Sequence, residues 1–120
     1  MLKIVVSFLL CITMLNAFDC EKAGNMSEIK DCSYREFKME DKELNVLYKR
    51  VMEQLDYKRK QKLKTAQRAW LVYRDAEAEF SADHARGGSL AGYLYSKSRI
   101  KSTKNRIIVL KEAQLEWDKE

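Results

Sequence analysis

The sequence predicts an all-α fold, a small antiparallel three-helix bundle with a disulfide-pinned N-terminal segment. The 120 residues are enough for one small domain, they include no proline, and 34% of them are charged, a composition that favours helices. Apolar residues recur at helical spacing through residues 34–117, and no stretch alternates as a strand would.

The first 17 residues have the pattern of a secretory signal peptide. Lys3 precedes an apolar run over residues 4–15, which is too short to span a bilayer but has the length of a secretory signal. Ala17 is the expected cleavage point, and an uncleaved membrane anchor is the alternative. Cleavage removes Lys3 from a chain of formal charge +5 and leaves the exported domain, residues 18–120, at +4.

Export into an oxidising compartment predicts a disulfide between Cys20 and Cys32, because Cys11 is lost with the signal. Such a bridge would stabilise the fold by roughly 3 kcal/mol. The alternative, two ligands of a metal site, lacks companions, since the chain has one histidine and no further cysteine. We predict an irregular segment with a turn at Gly24-Asn25, followed by a short helical turn that begins near Ser27 and carries Cys32.

The first long helix is predicted over residues 34–55, and Asp56 is the expected N-cap of the next helix. Because the intervening turn is short, the two helices should pack antiparallel. A straight continuation is the alternative, since no glycine or proline forces a break there. The apolar face of the first helix is formed by Phe37, Leu44, Leu47, Val51 and Leu55, with Tyr48 and Met52 beside it.

The second helix is predicted over residues 58–82, with Trp70 as the largest group on its core-facing side. Steps of three and four place six residues on one face: Leu63, Ala66, Trp70, Tyr73, Glu77 and Phe80. Gln67 and Arg74 are expected at the edge of this face.

Gly87-Gly88 predicts the connection to the last helix, and Ser89 is a candidate cap for it. The last helix either continues from Ser89 or restarts near Ser102. Its expected inner face holds Ile100, Thr103, Ile107, Leu110, Gln114 and Trp117. Across the three helices the predicted core comprises Leu44, Tyr48, Leu63, Trp70, Tyr73, Ile107 and Leu110.

The chain resembles the LprI-like lysozyme-inhibitor family, specifically its small N-terminal helical domain. The matching residues run in order through nearly the whole exported domain. They are Asp19-Cys20, Cys32, Glu43-Leu44-Asn45 with Tyr48, Leu63, Ala66-Gln67-Arg68-Ala69-Trp70, Tyr73-Arg74-Asp75, Gly87-Gly88-Ser89, and Thr103 with Arg106 and Leu110. The resemblance implies an exported helical protein that binds and inhibits lysozyme-type muramidases.

The chain departs from that family at a second cysteine pair, which members commonly carry. Ala78 and Ser98 occupy those two positions here. The absence of both family cysteines is expected if they form one bridge with each other. Without that bridge the glycine loop would be less tightly held.

The loop over residues 83–89 is the predicted partner-binding surface. Glycosidases use two carboxylates in a cleft, and a cationic loop could reach them with charge-assisted hydrogen bonds. The alternative is an ordinary connection between helices. The predicted contact residues are His84, Arg86, Gly87, Gly88 and Ser89.

Two other polar groups are interpreted as structural. The basic run over residues 58–64 has the pattern of a solvated helix start, although anionic surfaces are an alternative partner. Gln67, Arg74 and Arg106 are predicted to link helices, with Glu43, Asn45 and Arg68 as further candidates and Arg74–Asp75 or Arg106–Glu43 as ion pairs. A polar ligand groove is the alternative.

The sequence contains no motif that indicates catalysis, cofactor binding or metal binding. His84 next to Asp83 is half a dyad, but no nucleophile motif, phosphate loop or metal-ligand spacing accompanies it. We therefore predict a periplasmic or extracellular protein that is not an enzyme and needs no cofactor. It would bind a protein, such as a lysozyme or other peptidoglycan hydrolase, and not nucleic acid, and would meet the membrane only through the uncleaved signal. The alternative is an adaptor that binds anionic surfaces or another protein of the cell envelope.

Overall fold

The computed structural model describes residues 19–117, so the signal-peptide prediction for residues 1–17 lies outside the described range. Three long helices follow a 3-10 turn at Cys20–Lys22: α1 spans Met26–Glu53, α2 Tyr57–Ala82 and α3 Ser89–Trp117. A second 3-10 turn, Asp83–Ala85, lies between α2 and α3. The predicted all-α fold is confirmed over residues 19–117, which contain no strand.

Helix α1 begins earlier than the predicted start at residue 34 and passes through Cys32 without a break. Asn25 caps it: its side-chain oxygen accepts a hydrogen bond from the Glu28 N–H at 2.9 Å, and the Glu28 carboxylate accepts one from the Gly24 N–H at 2.9 Å. These two bonds satisfy donors that a helix start leaves free. The helical start predicted near Ser27 is confirmed to within one residue, but this segment is the first part of α1 and not a separate short turn.

Helix α2 begins as predicted, because Asp56 Oδ1 accepts a hydrogen bond from the Arg59 N–H at 2.8 Å. Helix α3 is continuous from Ser89 and does not restart near Ser102. Among residues 19–117, no helix is both long and apolar enough to cross a membrane.

The predicted disulfide between Cys20 and Cys32 is confirmed, with a Cα–Cα distance of 5.4 Å. It holds the first 3-10 turn against α1, and Cys20 is buried there. The turn also reaches α3, since the Tyr93 hydroxyl donates a hydrogen bond to the Glu21 carboxylate at 2.8 Å. This hydrogen bond lowers the pKa of Glu21 from its ordinary value, and Lys97 contributes in the same direction.

Helix α3 packs against both of the other helices. It runs parallel to α1, since Lys104 lies 3.5 Å from Glu36 and Lys111, one heptad later, lies 3.8 Å from Glu43. Helix α2 runs antiparallel to both. The architecture is the predicted up-down-up bundle.

The core is a cluster of buried apolar residues from all three helices and the α1–α2 turn. Its members are Leu44, Leu47, Val51, Leu55, Leu63, Ile107 and Leu110. Tyr48, Met52, Trp70 and Trp117 are partly buried and pack against it. The α1 face therefore lies inward as its spacing indicates.

The buried face of α2 differs from the predicted one. Tyr73 and Phe80 are 59% and 77% exposed, and Ala66 is also exposed, so placing Tyr73 in the core is wrong. The residues of α2 that are buried are Leu63, Gln67, Arg74, Ala78 and Ala82. The helix is thus rotated by roughly one residue, about 100°, from the predicted orientation.

Candidate functional site

The loop between α2 and α3 presents exposed polar groups on a short, defined backbone. Asp83, His84 and Arg86 are exposed, as are both glycines and Ser89. The Arg86 N–H donates a hydrogen bond to the Asp83 carbonyl at 3.1 Å, which closes the 3-10 turn. Gly87 then reverses the chain at φ 91°, and the Gly88 carbonyl accepts the first hydrogen bond of α3, from the Ala91 N–H at 3.2 Å.

Arg86 is the principal cation of this loop. Its Nε lies 3.8 Å from Asp83 Oδ1, and the two side chains are 83% and 63% exposed. An exposed pair at that distance contributes little to stability. The guanidinium therefore remains free to bind a carboxylate of a partner through two parallel hydrogen bonds.

Substitution of the two loop glycines by alanine should affect the stability of the fold differently. We expect Gly87→Ala to lower the free energy of unfolding by about 1 kcal/mol, because its positive φ strains any residue with a Cβ. A Cβ at Gly88 would meet only the Ala85 carbonyl oxygen, at an ordinary 3.9 Å, and Gly88 has no positive φ. Gly88→Ala is therefore the matched control and should be close to neutral.

Thermal unfolding followed by circular dichroism measures this difference. The melting temperature of the Gly87 variant should fall by about 5 °C. Equal melting temperatures for the two variants would contradict the backbone geometry of the loop.

Arg74 forms the polar link between α1 and α2. It is 5% exposed, and its side chain donates to Asp75 Oδ1 at 2.9 Å and to Asp41 Oδ1 at 3.0 Å. Its guanidinium also lies over the rings of Phe37 and Trp70, at 5.1 and 5.2 Å from their centroids. The Arg74–Asp75 pair was predicted, whereas the contact with Asp41, 33 residues earlier, had no signal in the sequence.

Gln67 and Arg106 join α2 to α3. The Arg106 Nε–H donates to the Gln67 side-chain oxygen at 2.8 Å, and burial lowers the pKa of the Arg106 guanidinium. The suggested pair of Arg106 with Glu43 is wrong, since Glu43 instead lies beside Lys111. Gln67 and Trp70 of the Ala-Gln-Arg-Ala-Trp block, and the Arg-Asp that follows it, thus serve helix packing, whereas Ala66, Arg68 and Ala69 are exposed.

Arg99 is a packing residue that sequence reasoning missed. Its guanidinium carbon lies 3.5 Å from the centroid of the Phe37 ring and 5.0 Å from that of Tyr95. Its Nε lies 3.5 Å from Asp75 Oδ1, an ion pair without a hydrogen bond. Phe37 therefore contacts two guanidinium groups. Arg99 lies four residues before Thr103 of the predicted inner face of α3, but a charged side chain gives no hydrophobic signal for burial.

The remaining positions of interest lie apart from the loop. Ala78 is fully buried, and Ser98 lines a groove between α2 and α3 with Trp70, Tyr73 and Lys101. Within residues 19–117, no group of three or more His, Cys, Asp or Glu side chains is arranged to hold a metal ion.

Comparison with known proteins gives the chain a family context. The profile of the family described as "Lysozyme inhibitor LprI" matches residues 19–110. An uncharacterized protein of Rhizobium meliloti (strain 1021) is 34% identical over an alignment 125 positions long, which covers 89% of this chain and 90% of the relative. No solved structure matches the chain.

Proposed function

The chain belongs to the LprI family of lysozyme inhibitors, and we propose that it is an exported domain that occludes the cleft of a lysozyme-type cell-wall hydrolase. The contact surface in this proposal is the loop over residues 83–89. The observation that carries it is Arg86, an exposed guanidinium held next to a tight glycine turn at one end of the bundle.

The chemistry of the target supports this choice of loop. Muramidases cleave glycosidic bonds with a pair of carboxyl groups, of which at least one is ionised in the resting enzyme. A guanidinium can pair with such a carboxylate through two hydrogen bonds in a site that excludes water, where the interaction is stronger than at an open surface. The exposed glycines beside Arg86 allow the backbone of a partner to approach closely.

The charge of the domain sets a condition on the target. After loss of Lys3 from a chain of formal charge +5, the domain carries +4, so a basic enzyme would be repelled at long range. Binding then depends on local complementarity between the loop and an acidic cleft, or on an acidic enzyme. Because salt screens long-range repulsion more than a buried contact, we expect moderate salt to preserve inhibition of a basic target.

Export and domain organisation are part of the proposal. Residues 1–17 would be removed as a signal peptide, and residues 18–120 would form the domain in the periplasm or outside the cell. The Cys20–Cys32 disulfide supports this, because such bridges persist in oxidising compartments. N-terminal sequencing of the exported protein should begin at Phe18; a start at Met1 would contradict cleavage.

The decisive variant is Arg86→Ala, which we expect to weaken inhibition of a sensitive muramidase by about tenfold or more, the value of a charge-assisted hydrogen bond. The matched control is Arg50→Ala. Arg50 is an exposed arginine in the last turn of α1, at the opposite end of the bundle from the loop. Both variants lose one positive charge, so a difference between their inhibition constants is caused by the position of the lost charge. The measurement is the inhibition constant in a turnover assay.

Equal inhibition by both variants would remove the loop from the contact, and no inhibition of any muramidase in a panel would overturn the proposal. If binding to anionic vesicles or wall polymer then proved salt-sensitive, the basic start of α2 would make an envelope adaptor the better description. Hydrolytic activity lost on His84→Ala would instead indicate an enzyme.

A further inference from the structure

The face of α2 that points away from the bundle has a regular pattern of its own. Steps of four and three residues connect eight positions, all of them exposed, which we call the outer α2 face: Lys58, Lys62, Thr65, Ala69, Val72, Ala76, Glu79 and Asp83. This spacing is that of a coiled-coil seam, in which one helix packs along another. The buried face of α2 lies on the opposite side of the helix.

The centre of the outer α2 face is apolar. Val72 is 72% exposed. Tyr73 follows it, toward the groove between α2 and α3, and is 59% exposed, and Phe80, which follows Glu79, is 77% exposed. Ala69 and Ala76 flank Val72 on the seam, and their small side chains let a second helix approach closely. Exposed apolar residues that are contiguous, unlike scattered ones, mark interaction surfaces.

The ends of the same face carry opposite charges. Lys58 and Lys62 lie on the first turns of α2, Glu79 lies on its last turn, and Asp83 lies in the 3-10 turn that follows. Within residues 19–117, the first three of these side chains have no ion-pair partner, and Asp83 has only the 3.8 Å contact with Arg86.

The charges along this face are complementary to those of a second copy of the same face that runs in the opposite direction. When the outer α2 face is paired with an antiparallel copy of itself about a point between residues 70 and 71, Lys58 meets Asp83 and Lys62 meets Glu79. The same register places Thr65 opposite Ala76 and Ala69 opposite Val72. Every charged residue of the face then lies opposite a residue of opposite charge, and the apolar centres of the two copies lie opposite each other.

We propose that two copies of the chain associate through the outer α2 face, with their α2 helices antiparallel about a twofold axis. A twofold interface uses the same patch on both subunits, so each of the two lysine–carboxylate pairs forms twice. A second copy accounts for the charge order, because a partner of one charge sign would be repelled at one end of the face. The proposal does not depend on the inhibitory role of the loop. The two surfaces share Asp83, which lies beside Arg86, whereas Lys62 and Glu79 lie outside the loop.

The test reverses one charge at a time. Either Lys62→Glu or Glu79→Lys places like charges opposite each other at both symmetry-related pairs, and we expect each to weaken self-association by about tenfold. The double variant restores both pairs and should dimerise as the natural protein does. Sedimentation equilibrium of the protein purified after export from its full-length gene measures the dissociation constants.

Mixing the two single variants gives a sharper result. In a heterodimer of Lys62→Glu with Glu79→Lys, both pairs are again of opposite sign, so the mixture should dimerise although neither variant alone does so well. Lys49→Glu is the matched control, since it reverses an exposed lysine on α1 and should leave the dissociation constant unchanged. Circular dichroism checks that all variants are folded.

Three outcomes would overturn the proposal. One is a natural protein that remains monomeric at all concentrations tested. The second is a dimer that neither single variant weakens. The third is a dimer weakened by the single variants but not recovered in their mixture. Weaker association at high salt, together with recovery in the mixture, would support it.

Discussion

Arg74→Ala is expected to lower the free energy of unfolding by about 3 kcal/mol, in the range measured when one partner of a buried ion pair is removed. The substitution leaves the Asp41 and Asp75 carboxylates without their shared donor. It also removes the guanidinium from beside the Phe37 and Trp70 rings and opens a void on the buried face of α2. Both carboxylates retain partial access to water, which keeps the expected loss at the lower end of that range.

Urea unfolding followed by circular dichroism measures this effect. Arg68→Ala is the matched control, because Arg68 is an exposed arginine on the same helix and should cost less than about 0.5 kcal/mol. A double-mutant cycle with Asp41→Asn isolates the contact between α1 and α2 and should give a coupling energy of about 1 kcal/mol or more. If the two alanine variants unfold at the same urea concentration, the buried network of Arg74 is absent.

Removal of the disulfide by the Cys20→Ser, Cys32→Ser double substitution should also lower the free energy of unfolding by about 3 kcal/mol. The two cysteines are 12 residues apart in sequence, and closure of a loop of that length restricts the unfolded chain by about this much. In the folded state the loss frees the first 3-10 turn from α1 and leaves it held to α3 by contacts of the exposed Glu21 with Tyr93 and Lys97.

A reducing agent provides the control for the disulfide. Dithiothreitol should destabilise the natural protein by nearly as much as the double substitution does, and it should leave the substituted protein unchanged. Equal sensitivity of the two proteins to the reductant, or insensitivity of both, would contradict a stabilising role for the bridge.

The sequence was most informative where burial follows hydrophobicity. The spacing of Phe37, Leu44, Leu47 and Val51 predicted the buried face of α1, and these four residues are buried, as is Leu55 in the turn that follows. The capping role of Asp56 and the glycine break before α3 were also predicted, because these signals depend on residues close together in the chain. Helix α1 begins before its predicted start because Asn25 and Glu28 form a capping pair at its N-terminus.

The orientation of α2 could not be predicted from hydrophobicity. Its pattern favoured Tyr73 for the core and placed Arg74 at the edge, whereas the fold buries Arg74 and exposes Tyr73. The charge of Arg74 is tolerated because Asp41 and Phe37 of α1 meet it. The residue pattern of α2 alone cannot predict these contacts, because the partners are on another helix and distant in sequence. The same applies to Arg99, whose stacking on Phe37 depends on how α1 and α3 pack.

The candidate loop was located from its glycines and its basic residue, and the structure adds its conformation. The sequence indicated a turn at Gly87-Gly88, but it did not indicate which glycine requires a positive φ. That distinction depends on the backbone path between two packed helices.

The parallel arrangement of α1 and α3 has a practical consequence for attaching the protein to a support. The last turns of α3 lie beside the α1–α2 turn, where the Gln114 side chain donates to that of Gln54 at 3.2 Å. The glycine loop lies at the other end of α3, whose 29 residues span about 43 Å. A fusion partner or immobilising tag joined after residue 117 would therefore leave Arg86 pointing into solution. The same tag at the N-terminal end would crowd the loop, so biosensor experiments should anchor the chain by its C-terminal end.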